Sequence, residues 1–252
     1  MKSKSKVAKK KNAVKTKSTK KNNKTIGTKY THICLVIDRS GSMTTIEDST
    51  FKCINEQLEA IRRDQDKTGI TTVSYIQFDD QIETVFKQVK TENLKDITKD
   101  QYQPRGLTAL YDATDEAINL LSKETTTDNT GFLVIVISDG EENASHKCNQ
   151  KTLAEKIQKL QDTGKWTFTY MMGNNVNLAV IKALNVPVGN INSFATDTQG
   201  MNIASSTIST SYSSYSATRG MGLTSTGNFY DDKDEDDKNV NLTKKNDKKS
   251  VS

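Results

Sequence analysis

Ile33-Cys34-Leu35-Val36-Ile37-Asp38-Arg39-Ser40-Gly41-Ser42-Met43 is the stretch on which the reading of this chain turns. Five apolar residues run without alternation and stop at a carboxylate. A short, uninterrupted, β-branched run is the pattern of a strand buried on both faces, as in a parallel sheet covered by helices. The pattern returns at Phe132-Leu133-Val134-Ile135-Val136-Ile137 and again ends on polar residues, Ser138-Asp139-Gly140.

Outward from these two runs, weaker strands are expected at 71–78, 82–89 (an edge strand), 166–172 and 192–195. Helical spacing falls between them. Phe51, Ile54, Leu58 and Ile61 share one helix face, as do Leu110, Ala117 and Leu121, and then Leu153, Ile157 and Leu160. Gly69 and Gly164 follow the first and last of these helices, where a left-handed C-terminal residue is commonly glycine. Residues 203–218 are expected to form a polar terminal helix. This order predicts an α/β fold: a three-layer, open, mostly parallel sheet with helices on both faces and right-handed crossovers.

Charge divides the chain. Residues 1–29 hold twelve lysines and no acid, whereas residues 231–252 hold seven acids and six lysines. The net charge of +5 therefore splits into +12 and −1 at the ends, leaving −6 for residues 30–230. The expected organisation is a disordered lysine-rich tail over 1–29, a folded domain over 30–218, and a disordered charged tail over 219–252. The basic start reads as a solvating segment, a nuclear address centred on Lys9-Lys10-Lys11, or a sequence-independent binder of phosphate polymers such as nucleic acid. No aromatic residue precedes Tyr30, so stacking on bases is not offered.

Three scattered cysteines (Cys34, Cys53, Cys148) make no disulfide framework and read as buried thiols. No apolar stretch approaches the roughly 20 residues of a membrane span, and the start lacks the apolar middle of a secretory signal. The expectation is an intracellular protein, cytoplasmic or nuclear, not secreted and without a membrane partner.

The chemistry concentrates after the first run. Ligands of open α/β sheets bind at the carboxyl ends of strands. Asp38, Ser40 and Ser42 alternate there, with Gly41 between the serines to turn the chain. Thr108, in Gly106-Leu107-Thr108-Ala109-Leu110, precedes a helix, and Asp139 ends the second run. Two carboxylates and three hydroxyls can thus converge. An all-oxygen set suits a hard cation such as Mg²⁺, or Mn²⁺.

Asp38-x-Ser40-x-Ser42, then Thr108, then Asp139 closely resemble the metal ion-dependent adhesion site of the von Willebrand factor A (vWA) family, and the resemblance spans roughly residues 29–200. It implies a Rossmann-like vWA fold and a metal bound by Asp38, Ser40, Ser42, Thr108 and Asp139. It further implies that the hydroxyls bind the ion directly, that the carboxylates act often through water, and that a protein partner's carboxylate completes the coordination. The expected function is a non-catalytic, metal-dependent protein–protein interaction module. The alternatives are an accessory subunit of an ATPase or metal-insertion machine, and a nucleic-acid-associated protein acting through its tail.

Other signals are weaker. His146 and Cys148 lack the companions of a transition-metal site. His32 opens a strand and is expected to be packed or hydrogen-bonded. With two histidines in the chain, no Ser-His-Asp arrangement has support, and no phosphate-binding Gly-x-x-x-x-Gly-Lys loop is present. Glu141 and Glu142 read equally as negative rim potential or as solvated surface.

Overall fold

A computed structural model describes residues 28–230. Six strands form one sheet: β1 (Tyr30–Asp38), β2 (Ile70–Phe78), β3 (Ile82–Lys90), β4 (Thr130–Ser138), β5 (Trp166–Gly173) and β6 (Ile191–Phe194). Their spatial order is β3-β2-β1-β4-β5-β6. Every pairing is parallel except that of the edge strand β3 with β2. All six lie where strands are expected, and the expected class, an open and mostly parallel α/β sheet, is the observed one.

Side-chain alternation explains why the two central runs do not alternate in polarity. On β1, Ile33, Leu35 and Ile37 point into one core and Cys34 and Val36 into the other. On β4, Leu133, Ile135 and Ile137 join the first core, Val134 and Val136 the second. Both faces are covered, so both sets must be apolar. The first core is closed by α1 (Glu47–Arg63) and α6 (Thr198–Gly220), the second by α3 (Leu110–Leu121), α4 (Gln150–Gln161) and the short α5 (Leu178–Lys182). Acids in the first turn of α1 and arginines in its last complement the helix dipole. Buried Gln57 of α1 donates to the Ser205 carbonyl and hydroxyl, both at 3.1 Å, tying α1 to α6.

Gly164 adopts φ +67° after α4, and Gly69 adopts φ +78°. Gly69 does not end α1, however. It follows a separate turn of helix, α2 (Gln65–Thr68), that the apolar spacing does not reveal. The terminal helix is also longer than the expected 203–218, because Asp197 caps it by accepting from the Gly200 amide at 2.7 Å.

One boundary is corrected. The domain does not end at 218: Arg219 is fully buried, and Phe229 and Tyr230 sit in the first core. The Arg219 guanidinium donates to the carbonyls of Tyr30, Asn129 and Leu223 and to the Thr31 hydroxyl, closing the amino-terminal edge of the sheet. Residues 219–230 are thus part of the fold. Of the tails expected over 1–29 and 219–252, residues 1–27 and 231–252 lie outside the described residues.

His32 is buried, with Nδ1 2.8 Å from the Thr72 hydroxyl and Nε2 3.2 Å from the Thr125 carbonyl, a packing role as expected. The three cysteines are free and buried. Burial raises the thiols of Cys34, Cys53 (to about 11) and Cys148. All three are expected to react with a thiol reagent only as fast as the protein unfolds, which time-resolved labelling with and without denaturant would measure. No helix among the described residues is long and apolar enough to cross a membrane.

Candidate metal centre

The order of the strands fixes where a ligand would sit. From β1 the chain passes to β2 on one side, while β4 takes the other side, so the direction of winding reverses between β1 and β4. Loops leaving these two carboxyl ends diverge and open a crevice. Ile37 of β1 is in register with Ile137 of β4, so Asp38 and Ser138 end their strands side by side.

After Asp38 the chain folds back as a 3-10 turn over Gly41–Ile46. The Asp38 Oδ1 accepts the Ser40 amide at 2.6 Å and sets the direction of that turn. Gly41 is not required by a positive φ here; its amide donates to the Gly106 carbonyl at 3.1 Å, which joins the serine loop to the threonine loop. Gly106 does need to be glycine: φ is +67°, and a Cβ would lie 2.1 Å from the Asp80 carboxylate.

The motif side chains form one cluster. Ser40 Oγ and Ser42 Oγ are 3.1 Å apart, and Ser42 Oγ donates to Asp139 Oδ1 at 2.7 Å. Thr108 joins them across Gly140. A Cβ on that glycine would stand 2.9 Å from Thr108 Oγ1 and 3.6 Å from both Asp38 Oδ2 and Ser42 Oγ. Three motif oxygens from two loops thus border one small space that a side chain on residue 140, on a third loop, would fill.

Electrostatics favour a cation there. Asp38 is fully buried and Asp139 nearly so, and neither has an ion-pair partner among the described residues. Burial pushes the Asp38 carboxyl up to about 7, against hydrogen bonds from Ser138 and Ser40 that lower it, and Asp139 adds to the rise. Burial also raises Asp139, partly offset by the Ser42 hydroxyl. Arg39 does not neutralise them, because it turns away to Asp79 (3.0 Å) and Glu83 (2.6 Å). The oxygen-only donors and the uncompensated buried carboxylates fit a hard divalent ion. Among the described residues no three His, Cys, Asp or Glu side chains gather as a metal group, so hydroxyls must supply much of any coordination.

Several supporting residues escape the motif. Ser138 donates to Asp38 Oδ2 at 2.5 Å, and Tyr102 donates to the Asp38 carbonyl at 2.8 Å. Asn143 accepts the Thr108 amide at 2.8 Å, while the Asn143 and Ala144 amides donate back to the Thr108 carbonyl. Glu142 is neither free rim charge nor solvated surface. Its carboxylate accepts the amides of Tyr111, Ala144 and Ser145 and the Ser145 hydroxyl, capping α3, whose own preceding residue Ala109 has no capping side chain. The amides of His146, Lys147 and Cys148 all donate to buried Asp112, so this loop serves α3 through its backbone. In the sequence, Ser138 is marked by its place at the polar end of the second apolar run, and Glu142 only as an acid just past Asp139.

The family model for the von Willebrand factor type A domain matches residues 32–236. Among solved structures, the chain is similar to the vWF domain of the type V pili tip protein Mfa5 from Porphyromonas gingivalis, at 10% identity and a TM-score of 0.57, over 78% of this chain and 97% of that one. It is similar to a von Willebrand factor type A protein from Catenulispora acidiphila, at 12% identity and a TM-score of 0.53, over 77% of this chain. It is likewise similar to the PilB minor pilin from Streptococcus sanguinis, at 11% identity and a TM-score of 0.53, over 75% of this chain. The match spans 43% of the Catenulispora chain and 62% of the pilin. Identities this low speak for the fold alone. No curated protein matches the sequence. Domains of the matched family are generally protein-interaction modules. With a family match over most of its length and the sheet to go with it, the chain belongs to the von Willebrand factor type A domain family.

Proposed function

We propose that this vWA domain is a protein-interaction module that works through a bound Mg²⁺ or Mn²⁺ and grips an acidic group of its partner. The observation that carries the reading is the space beside Gly140, bordered by Asp38, Ser42 and Thr108 oxygens and backed by two buried carboxylates without a counter-charge. Ser40, Ser42 and Thr108 would present hydroxyls to the ion, with Asp38 and Asp139 holding it by charge. The ion supplies a positive charge at the mouth of the crevice, which a partner's carboxylate satisfies. Ser138 keeps Asp38 aimed inward, and Asn143 holds the Thr108 backbone while leaving its hydroxyl turned toward Gly140.

Calorimetric titration of the full-length chain with Mg²⁺ and with Mn²⁺ tests the reading. Binding is expected for the wild type and lost in Asp38→Ala, which removes one of two charges; an unchanged affinity in that variant would overturn the site. Thr108→Ala separates binding from folding. Thr108 is buried, but its loop is held by backbone bonds, so removing the hydroxyl is expected to cost about 1 kcal/mol of stability. The melting midpoint should stay within a few degrees while capture of an acidic partner falls. A variant that unfolds readily would make Thr108 structural instead.

A further inference from the structure

Gly140 has a second neighbourhood. It also lines a recess of about 140 Å³, together with Leu110, Tyr111, Glu141, Glu142, Val176, Ile181 and the half-exposed Val180. Leu110, Val176 and Ile181 are buried and belong to the second core, so the floor is apolar. Of the two carboxylates in the lining, Glu142 is not free. Glu142 Oε1 accepts the Ala144 and Ser145 amides, and its Oε2 accepts the Tyr111 amide and Ser145 hydroxyl, two donors to each oxygen. Its charge is spent on capping α3, so Glu142 offers a ligand contact area rather than a hydrogen-bonding partner. Glu141, exposed at the rim, disfavours a second acid there.

We infer that this recess is a specificity pocket for one aliphatic side chain of the partner, adjoining the acidic residue gripped at the metal centre. The inference rests on the metal-dependent reading above and names the partner's chemistry: an acidic residue flanked by a leucine-sized neighbour. Volume supports the choice, since a closed apolar cavity of about 150 Å³ accepts a ring the size of benzene. Continuity supports it too. A single glycine separates the recess from the motif oxygens, a Cβ there standing 2.9 Å from Thr108 Oγ1. Groups filling the two places at once must therefore be near neighbours on one partner.

The test uses the full-length ¹⁵N-labelled chain in Mg²⁺ with three blocked peptides: acetyl-Leu-Asp-Leu-amide, acetyl-Ala-Asp-Ala-amide and acetyl-Leu-Asn-Leu-amide. The leucine–aspartate peptide is expected to bind roughly tenfold tighter than the alanine one, from the extra apolar area buried. It should shift the amides of Val176 and Ile181 together with those of Ser42 and Thr108. Val180→Trp, which fills the mouth from a half-exposed position, should reduce it to the affinity of the alanine peptide without moving the melting midpoint. Equal affinities for the two aspartate peptides, with shifts at Ser42 and Thr108 only, would overturn the pocket and leave the metal reading standing. Equal binding of the asparagine and aspartate peptides, or no binding of either aspartate peptide, would overturn the metal-dependent reading and the inference with it.

Discussion

A chain cut after Thr218 is expected to lose cooperative folding, whereas one cut after Tyr230 keeps the melting midpoint of the full-length protein to within a few degrees. The difference is twelve residues, three of them glycine and four of them apolar. Their effect comes from where they go. Arg219 donates to the Tyr30 and Asn129 carbonyls and to the Thr31 hydroxyl at the amino-terminal ends of β1 and β4, and losing it removes these charge-assisted bonds from a buried place. Phe229 packs 6.2 Å from Tyr215 and 5.0 Å from Tyr230, ring centre to ring centre. The Phe229 amide donates to Asn190 Oδ1 at 2.7 Å and the Tyr230 amide to the Gly189 carbonyl at 2.8 Å, anchoring both rings beside β6. Removing one buried aromatic side chain costs about 3–5 kcal/mol. Two of them, with the arginine, approach the whole stability of an ordinary domain, about 5–15 kcal/mol. Circular dichroism melts of the two shortened chains decide it; cooperative folding of the shorter one would return the boundary to 218.

That segment shows where sequence reading stops. The sheet was legible because its signal is local: a run such as Phe132–Ile137 is apolar at every position only if both faces are covered. The edge strand β3 was legible for the opposite reason, its exposure leaving mixed polarity. Nothing local marks Arg-Gly-Met-Gly-Leu-Thr-Ser-Thr-Gly-Asn-Phe-Tyr as folded, because its partners Thr31, Asn129 and Asn190 lie far away in the chain. The candidate site divides the same way. Asp38, Ser40, Ser42, Thr108 and Asp139 stand out by type and spacing. Asn143 and Glu142, which hold the threonine loop and the helix behind it, are ordinary loop residues until α3 is docked against them. Arg39 is the clearest case: inside the motif it reads as a spacer, yet it anchors an ion-pair group on the neighbouring loop.

That group carries the second large effect. Asp79 is fully buried at the end of β2, where its Oδ2 accepts Arg39 Nε at 3.0 Å and Arg105 Nε at 2.8 Å. Its Oδ1 accepts the Gln81 amide at 2.6 Å, and its carbonyl accepts the Ala109 amide at 2.8 Å. Arg39 follows Asp38, while Arg105 and Ala109 bracket Thr108. One carboxylate therefore fastens the loop of Ser40 and Ser42 to the loop of Thr108, helped by the Arg105 amide donating to the Arg39 carbonyl at 2.6 Å. Asp79→Ala is expected to cost about 3–5 kcal/mol, because it leaves Arg39 buried with only the half-exposed Glu83 as counter-charge. It should also weaken Mg²⁺ binding without touching a proposed ligand, since the threonine loop loses its anchor. The dependence on pH separates charge from packing. Burial alone would raise Asp79, but the Arg105 and Gln81 hydrogen bonds and the charges of Arg39 and Arg105 hold it below its ordinary 3.8. A carboxyl depressed in the folded state contributes stability above its unfolded pKa and loses it as pH falls through the folded one. The stability gap between wild type and Asp79→Asn, measured by urea unfolding, should therefore be widest near neutrality and narrow below about pH 4. A gap that stays constant from pH 7 to pH 3 would mean that Asp79 holds the two loops by shape and neutral hydrogen bonds, and that its charge contributes nothing.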